Sequence, residues 1–296
     1  QWGRPSRSGR MGDGRVRVLG RVLILASLPI TSVAVSGVPA AGHPRLLNEP
    51  VATDVMVRVV AHGAMVLGDA VGGARVTITD VATGRLLASG LQLGEPGDQN
   101  QIMRTPRLME EPRYSTRPSG SFHATLYLDR PTLVEIAAQG PLSYPAAMQR
   151  ASKTVLLIPG RDLTQDGIVL DLNGYIVQIE NPPPGESLMA KDDVKLKASV
   201  RMLSGALVRP HGDWDSRKAT IYGEVLIGDR VIERLQMLYA GEKSSFEALF
   251  FVPSPIEAPN GITLRVVAAD GAGANFGMGQ ANYPVLPEQL RPRKNQ

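Results

Sequence analysis

The sequence predicts an all-β protein: two antiparallel β-sandwich domains in tandem behind an N-terminal signal or anchor segment. Short runs alternate apolar and polar residues with a period of two, as in Ala74-Arg75-Val76-Thr77-Ile78-Thr79-Asp80. Glycine and proline number 31 and 23 in 296 residues while aromatics make up 5%, a balance that favours short strands joined by turns over long helices. A proline-rich stretch, Asn181-Pro182-Pro183-Pro184-Gly185-Glu186, divides the strand-rich part in two, each part long enough for its own core.

Residues 1–42 read as a secretory leader or membrane anchor. Arg15, Arg17 and Arg21 precede the apolar run Val22–Val38, and Pro39-Ala40-Ala41-Gly42 supplies small residues for cleavage. Residues 1–10 precede Met11, where the leader itself is expected to begin. Pro29, Thr31, Ser32 and Ser36 interrupt the run and leave it at the short limit for a membrane span. Residues 15–38 would contact the membrane if cleavage did not occur. The chain beyond is expected to be periplasmic or extracellular.

The leader also explains the basic charge balance. The formal net charge is +4, and residues 1–42 hold six arginines and one aspartate, so the remainder carries −1. Nucleic-acid binding needs a basic surface on the folded domain, and the one late cluster is Arg291-Pro292-Arg293-Lys294 in a basic tail over 287–296. No nucleic-acid partner is therefore expected. The chain has no cysteine, which excludes disulfides, thiolate metal sites and a lipoprotein anchor together.

The first sandwich, residues 43–180, opens with a β-branched run over Val55–Ala61. The hairpin Ala74–Asp80 and Arg85–Gly90 turns at Val81-Ala82-Thr83-Gly84, where glycine supplies the positive φ. Ser121–Leu128, Thr132–Ala138, Lys153–Ile158 and Ile168–Ile179 read as further strands. Between the hairpin and Ser121 lies an insertion, residues 94–120, with prolines at 96, 106, 112 and 118 and arginines at 104, 107, 113 and 117. A loop of this length in a compact domain is either functional or without fixed structure. The functional alternative is an arm that docks on a partner through Arg104, Arg107, Arg113, Tyr114 and Arg117.

Residues 181–186 are expected to be a stiff linker. The second sandwich, residues 187–286, shows strands at Val194–Val200, Ala219–Ile227, Arg230–Tyr239, Ser245–Val252 and Ile262–Ala269, with a turn at Gly228-Asp229.

Among candidate sites, His123 alternates with Phe122, Ala124 and Leu126 and falls on the solvent face of its strand. His43 depends on processing. Cleavage after Ala40 would leave Ala41-Gly42-His43, and cleavage after Gly42 a terminal histidine, and either end chelates Cu(II) or Ni(II) through nitrogen. The acids in Asp162–Gly167 and His211–Asp215 lack the spacing of a calcium loop and read as turn formers bonding their own backbone. Trp214, between two acids, is either a surface anchor for sugar or protein or an indole tucked over the sandwich edge.

Two segments resemble known families. Gly73–Gly90, a strand of the form small-x-Val-x-Ile-x-Asp followed by a Thr83-Gly84 turn and a return strand, resembles the core hairpin of transthyretin-like, carboxypeptidase-regulatory-like domains. That resemblance covers residues 51–180 and implies a non-catalytic module that binds protein or carbohydrate. The enzymatic branch of that group carries a C-terminal Tyr-Arg-Gly-Ser motif, which is missing here. Thr263–Gly277, with Leu264-Arg265-Val266-Val267-Ala268-Ala269-Asp270, resembles the closing hairpin of bacterial immunoglobulin-like domains. It covers residues 176–286 and implies adhesion, spacing or assembly.

The expected function is that of a non-catalytic exported structural or interaction protein, an accessory subunit on the periplasmic face of a membrane or envelope complex. Its contacts would be the 94–120 arm, Trp214 and the tail Tyr283–Gln296, and no cofactor is expected. Alternatives are a carbohydrate- or surface-binding module with Trp214, Tyr222 and Tyr239 on one platform, and a copper-handling protein using His43.

Overall fold

The computed structural model describes residues 49–116, 118–241 and 243–288. The leader, His43, Arg117 and the tail from 289 onward lie outside them. Among the described residues no helix is long and apolar enough to cross a membrane.

The first half contains β1 (Val51–Ala61), β2 (Ala74–Asp80), β3 (Leu86–Gln92), β4 (Phe122–Leu128), β5 (Thr132–Gly140), β6 (Gln149–Leu157) and β7 (Leu163–Leu172). They form a three-stranded sheet in the order β4-β1-β7 and a four-stranded sheet in the order β3-β2-β5-β6. Alternation in the sequence sets the faces: Val76 and Ile78 on β2 are fully buried while Arg75 is exposed. The pairing of β1 with β7 is parallel, a departure from the antiparallel expectation, because the chain completes the opposite sheet before returning beside its first strand. Gln92 ties the two sheets together from inside the core. Its Oε1 accepts from the Val59 amide at 2.7 Å, and its Nε2 donates to the carbonyls of Val59 and Leu67 at 2.8 and 3.0 Å.

The second half contains β8 (Tyr175–Asn181), β9 (Leu188–Met189), β10 (Asp193–Met202), β11 (Val208–Arg209), β12 (Trp214–Asp215), β13 (Thr220–Ile227), β14 (Arg230–Gln236), β15 (Leu238–Tyr239), β16 (Ser245–Phe251), β17 (Ile262–Asp270), β18 (Asn275–Tyr283) and β19 (Val285–Leu286). The sheets are β15-β16-β10-β8 and β14-β13-β17-β18, with short pairs β11-β12 and β19-β9 at the margins.

Two expected strands are each divided where the chain changes sheets. Ile168–Ile179 is the end of β7 and the start of β8, separated at Asn173-Gly174, where Gly174 has φ of 149° and its amide donates to Asn275 Oδ1 at 2.8 Å. The boundary between the sandwiches therefore falls at 173–174, not at 181–186, and the first sandwich ends before residue 180. The prolines end β8 because they cannot donate to a ladder. Their segment folds back onto the second sandwich, where the Pro182 carbonyl accepts from the buried Tyr283 hydroxyl at 2.8 Å. Arg230–Tyr239 is likewise two strands. At Met237 the chain leaves β13, and β15 pairs instead with β16 in the opposite sheet.

The two cores are continuous. Val59, Val76 and Ile136 of the first sandwich and Leu196, Val225 and Leu264 of the second belong to one cluster of buried side chains, which also holds Val71, Tyr175, Ile176 and Leu203. The described residues accordingly belong to one compact unit.

Candidate functional site

The insertion over 94–120 is folded against its own chain. It carries a short helix, α1 (Gln99–Met103), capped by Asp98, whose carboxylate accepts from the Gln101 amide at 2.7 Å. Ile102 and Tyr114 are buried in a second apolar cluster with Val60, Met65 and Val66, against which Trp214 packs. Asp166 holds the returning segment, its carboxylate accepting from the amides of Arg113, Tyr114 and Ser115 at 2.5, 2.8 and 2.7 Å. Burial lowers the pKa of the Arg58 guanidinium, and the charge of Asp166 opposes that shift.

Several side chains expected to face a partner contact the chain itself. Arg104 forms an ion pair with Asp213 at 2.6 Å, and Gln99 donates to the same carboxylate. Arg113 stacks on the Tyr114 ring, 5.3 Å from its centroid, and its Nε donates to the Ile102 carbonyl at 3.2 Å. Tyr114 is 8% exposed, and that burial raises its pKa. Trp214 donates from its indole to the Gly63 carbonyl at 3.0 Å, the tucked alternative. Arg107 remains exposed at the arm's tip beside Leu108 and Met109. Arg117 and His43 lie outside the described residues.

The acid clusters act over long distances more than local ones. Asp162 accepts from the Asp54 amide at 2.8 Å and Asp213 binds the arm, so neither serves its own turn. Asp215 alone behaves as expected, accepting from the amides of His211 and Arg217 at 3.3 and 3.0 Å. His123 stands on the exposed face of β4, 3.7 Å from Asp54. Among the described residues no three of His, Cys, Asp and Glu converge as metal ligands.

The site that the fold builds lies where the chain switches sheets at Met237. A groove of about 790 Å3 opens between the β13-β14 hairpin and β15-β16, lined by Ile221, Tyr222, Leu235, Met237, Tyr239 and Phe246 among others. Tyr239 and Phe246 meet edge to face, 5.6 Å between centroids, and Arg234 covers the Tyr222 ring at 4.8 Å. Tyr222 and Tyr239 thus share one surface as expected, while Trp214 sits apart in the junction with the first sandwich. On the outer face, the buried Glu224 carboxylate is flanked across the strands by Arg234 at 2.8 Å and Arg265 at 3.3 Å.

Beyond the groove, β16 is half covered. β15 pairs with Phe246 and Glu247 only, so among the described residues Ala248–Phe251 has no strand on that side. Leu249 and Phe251 stand 65% and 54% exposed there. The edge strand β14 of the facing sheet carries Arg230, Glu233 and Arg234, charges that oppose pairing with another chain, whereas Ala248-Leu249-Phe250-Phe251 carries none. The sequence held a signal for this edge: three consecutive large apolar residues on a strand cannot all face the core.

No protein-family model matches the chain, and no curated protein matches it. Among solved structures, it is similar to the fibronectin(III)-like modules of Clostridium thermocellum CbhA at 11% identity, covering 83% of this chain and 99% of that one, with a TM-score of 0.27. It is also similar to Rst D1-D2 at 12% identity, covering 81% of this chain and all of that one, with a TM-score of 0.26. Domains 4 and 5 of the S-layer protein SbsC match at 11% identity and a TM-score of 0.21, covering 81% of this chain and all of theirs.

Proposed function

We propose that the protein is a non-catalytic exported interaction protein, an accessory subunit on the periplasmic face of a membrane-associated complex, which a partner joins by adding an extended strand to β16. The observation that carries this reading is the open, uncharged edge at Ala248–Phe251 beside an aromatic groove. An exposed strand edge offers unpaired N–H and C=O groups in register, and alternate side chains of an added strand find pockets beside it. Leu249 and Phe251 lose part of their exposure to water to the side chains of such a strand. The leader over residues 1–42 supports export, and the hairpins at Gly73–Gly90 and Thr263–Gly277 support a transthyretin-like module followed by an immunoglobulin-like one.

The test is purification of C-terminally tagged protein from native membranes in mild detergent, comparing wild type with the double variant Leu249→Lys, Phe251→Lys. The reading expects membrane subunits in fixed ratio with the wild type and their loss from a variant that still folds. Recovery of both proteins alone contradicts it.

A second reading, a carbohydrate-binding surface, is favoured by one observation: Tyr222 and Tyr239 line the same groove. Glycan binding weakened by Tyr239→Ala, with the membrane subunits absent, would decide for it.

A further inference from the structure

Each sandwich carries an arginine on either side of a central polar residue, in one row across three adjacent strands. In the second sandwich the row is Arg234, Glu224, Arg265, in direct register on β14, β13 and β17, and the glutamate carboxylate receives both guanidinium groups. In the first the row is Arg75, Gln139, Arg150, in direct register on β2, β5 and β6, and the centre is a neutral amide. Adjacent strands lie about 4.8 Å apart, so the two arginines are rooted about 10 Å from each other, close enough for both side chains to reach one oxyanion between them.

The surroundings leave that charge uncompensated. Among the described residues, neither Arg75 nor Arg150 lies within 4.0 Å of a carboxylate, whereas Arg104, Arg217, Arg234 and Arg265 do. The nearest acid in the outward row of β5 is Glu135, four residues from Gln139 and so about 13 Å along the strand. Small side chains make a hollow there, about 190 Å3, with Thr77 and Ala137 beside Gln139 and the two arginines at its rim. We infer that this hollow on the outer face of the first sandwich is a binding site for a carboxylate supplied by another molecule. The incoming group supplies the charge that the chain's own Glu224 supplies in the second sandwich, beside Gln139, which stands at the equivalent place in the row. The Gln139 side-chain amide donates to the incoming oxygen, and the arginines provide paired N–H donors. The site is on the opposite half of the protein from the β16 edge and does not depend on it.

The test is an NMR titration of the 15N-labelled protein at low ionic strength with acetate, a hexaglutamate peptide and inorganic phosphate. Saturable shifts of the Arg75, Gln139 and Arg150 signals with acetate would identify a free carboxylate as sufficient. Saturation with hexaglutamate alone would identify an acidic peptide. Gln139→Glu supplies the missing carboxylate internally, so it should abolish saturation and raise the melting temperature, and Arg150→Gln should abolish saturation without that rise. Shifts that never saturate, that persist in Gln139→Glu, or that saturate with phosphate but neither carboxylate, would overturn the assignment.

Discussion

The indole nitrogen of Trp214 donates to the carbonyl of Gly63 at 3.0 Å, across 151 residues and from one sandwich to the other. It is one of several ties at the junction, with Arg104 to Asp213, Arg201 to Tyr144 and the Asn275 amide to the His62 carbonyl at 3.4 Å. The two sandwiches should therefore unfold as one unit.

Trp214→Phe keeps most of the packing and removes the donor. It should lower stability by about 1 kcal/mol, with a single transition retained. Chemical denaturation read by far-UV circular dichroism measures both the midpoint and its cooperativity.

The ion pair at the junction has a defined acid limit. The hydrogen bond from Arg104 holds the Asp213 carboxyl below its ordinary value of 3.8, and the hydrogen bond from Arg217 does the same for Asp215. A carboxylate whose pKa is depressed by folding contributes stability above its unfolded pKa and loses it as pH falls through the folded one. The junction should therefore be unchanged from pH 7 to about 4 and loosen only below that. Following the Trp214 indole signal by NMR against pH checks this, and Arg104→Gln should move the onset to higher pH.

Asp166 anchors the arm with three amide hydrogen bonds and offsets the buried charge of Arg58. Asp166→Ala should cost about 2–4 kcal/mol. Hydrogen exchange should show the loss first in residues 113–116 and around α1.

Many of the strands were legible because they alternate. Val76 and Ile78 on β2, and Leu264 and Val266 on β17, lie inward as their period of two requires. The sheet changes at Gly174 and Met237 were not legible: Leu235, Met237 and Tyr239 keep one alternation through the second break, and around Gly174 apolar residues continue on both sides. The arm was read as free because its arginines and prolines give no periodicity. What docks it is single long-range pairs, Arg104 with Asp213 and the 113–115 amides with Asp166, whose partners lie 51–109 residues away and leave no local pattern. Gln92 is the same case in the core, a polar residue at a strand end whose three partners are set only by the closing of two sheets. The open edge of β16 was partly legible in Leu249-Phe250-Phe251, and the row Arg75, Gln139, Arg150 not at all, because register between strands is a property of the sheet.

The central claim is that a partner's strand lies along β16. A photo-cross-linking side chain placed at Leu249 in the native membrane, with a second at exposed Leu156 on the outer face of the first sandwich as control, tests it most directly. The account predicts a single protein cross-linked from position 249, not from 156, and lost when Phe251→Lys is added. Equal products from both positions, or a product at 249 that survives Phe251→Lys, would contradict it.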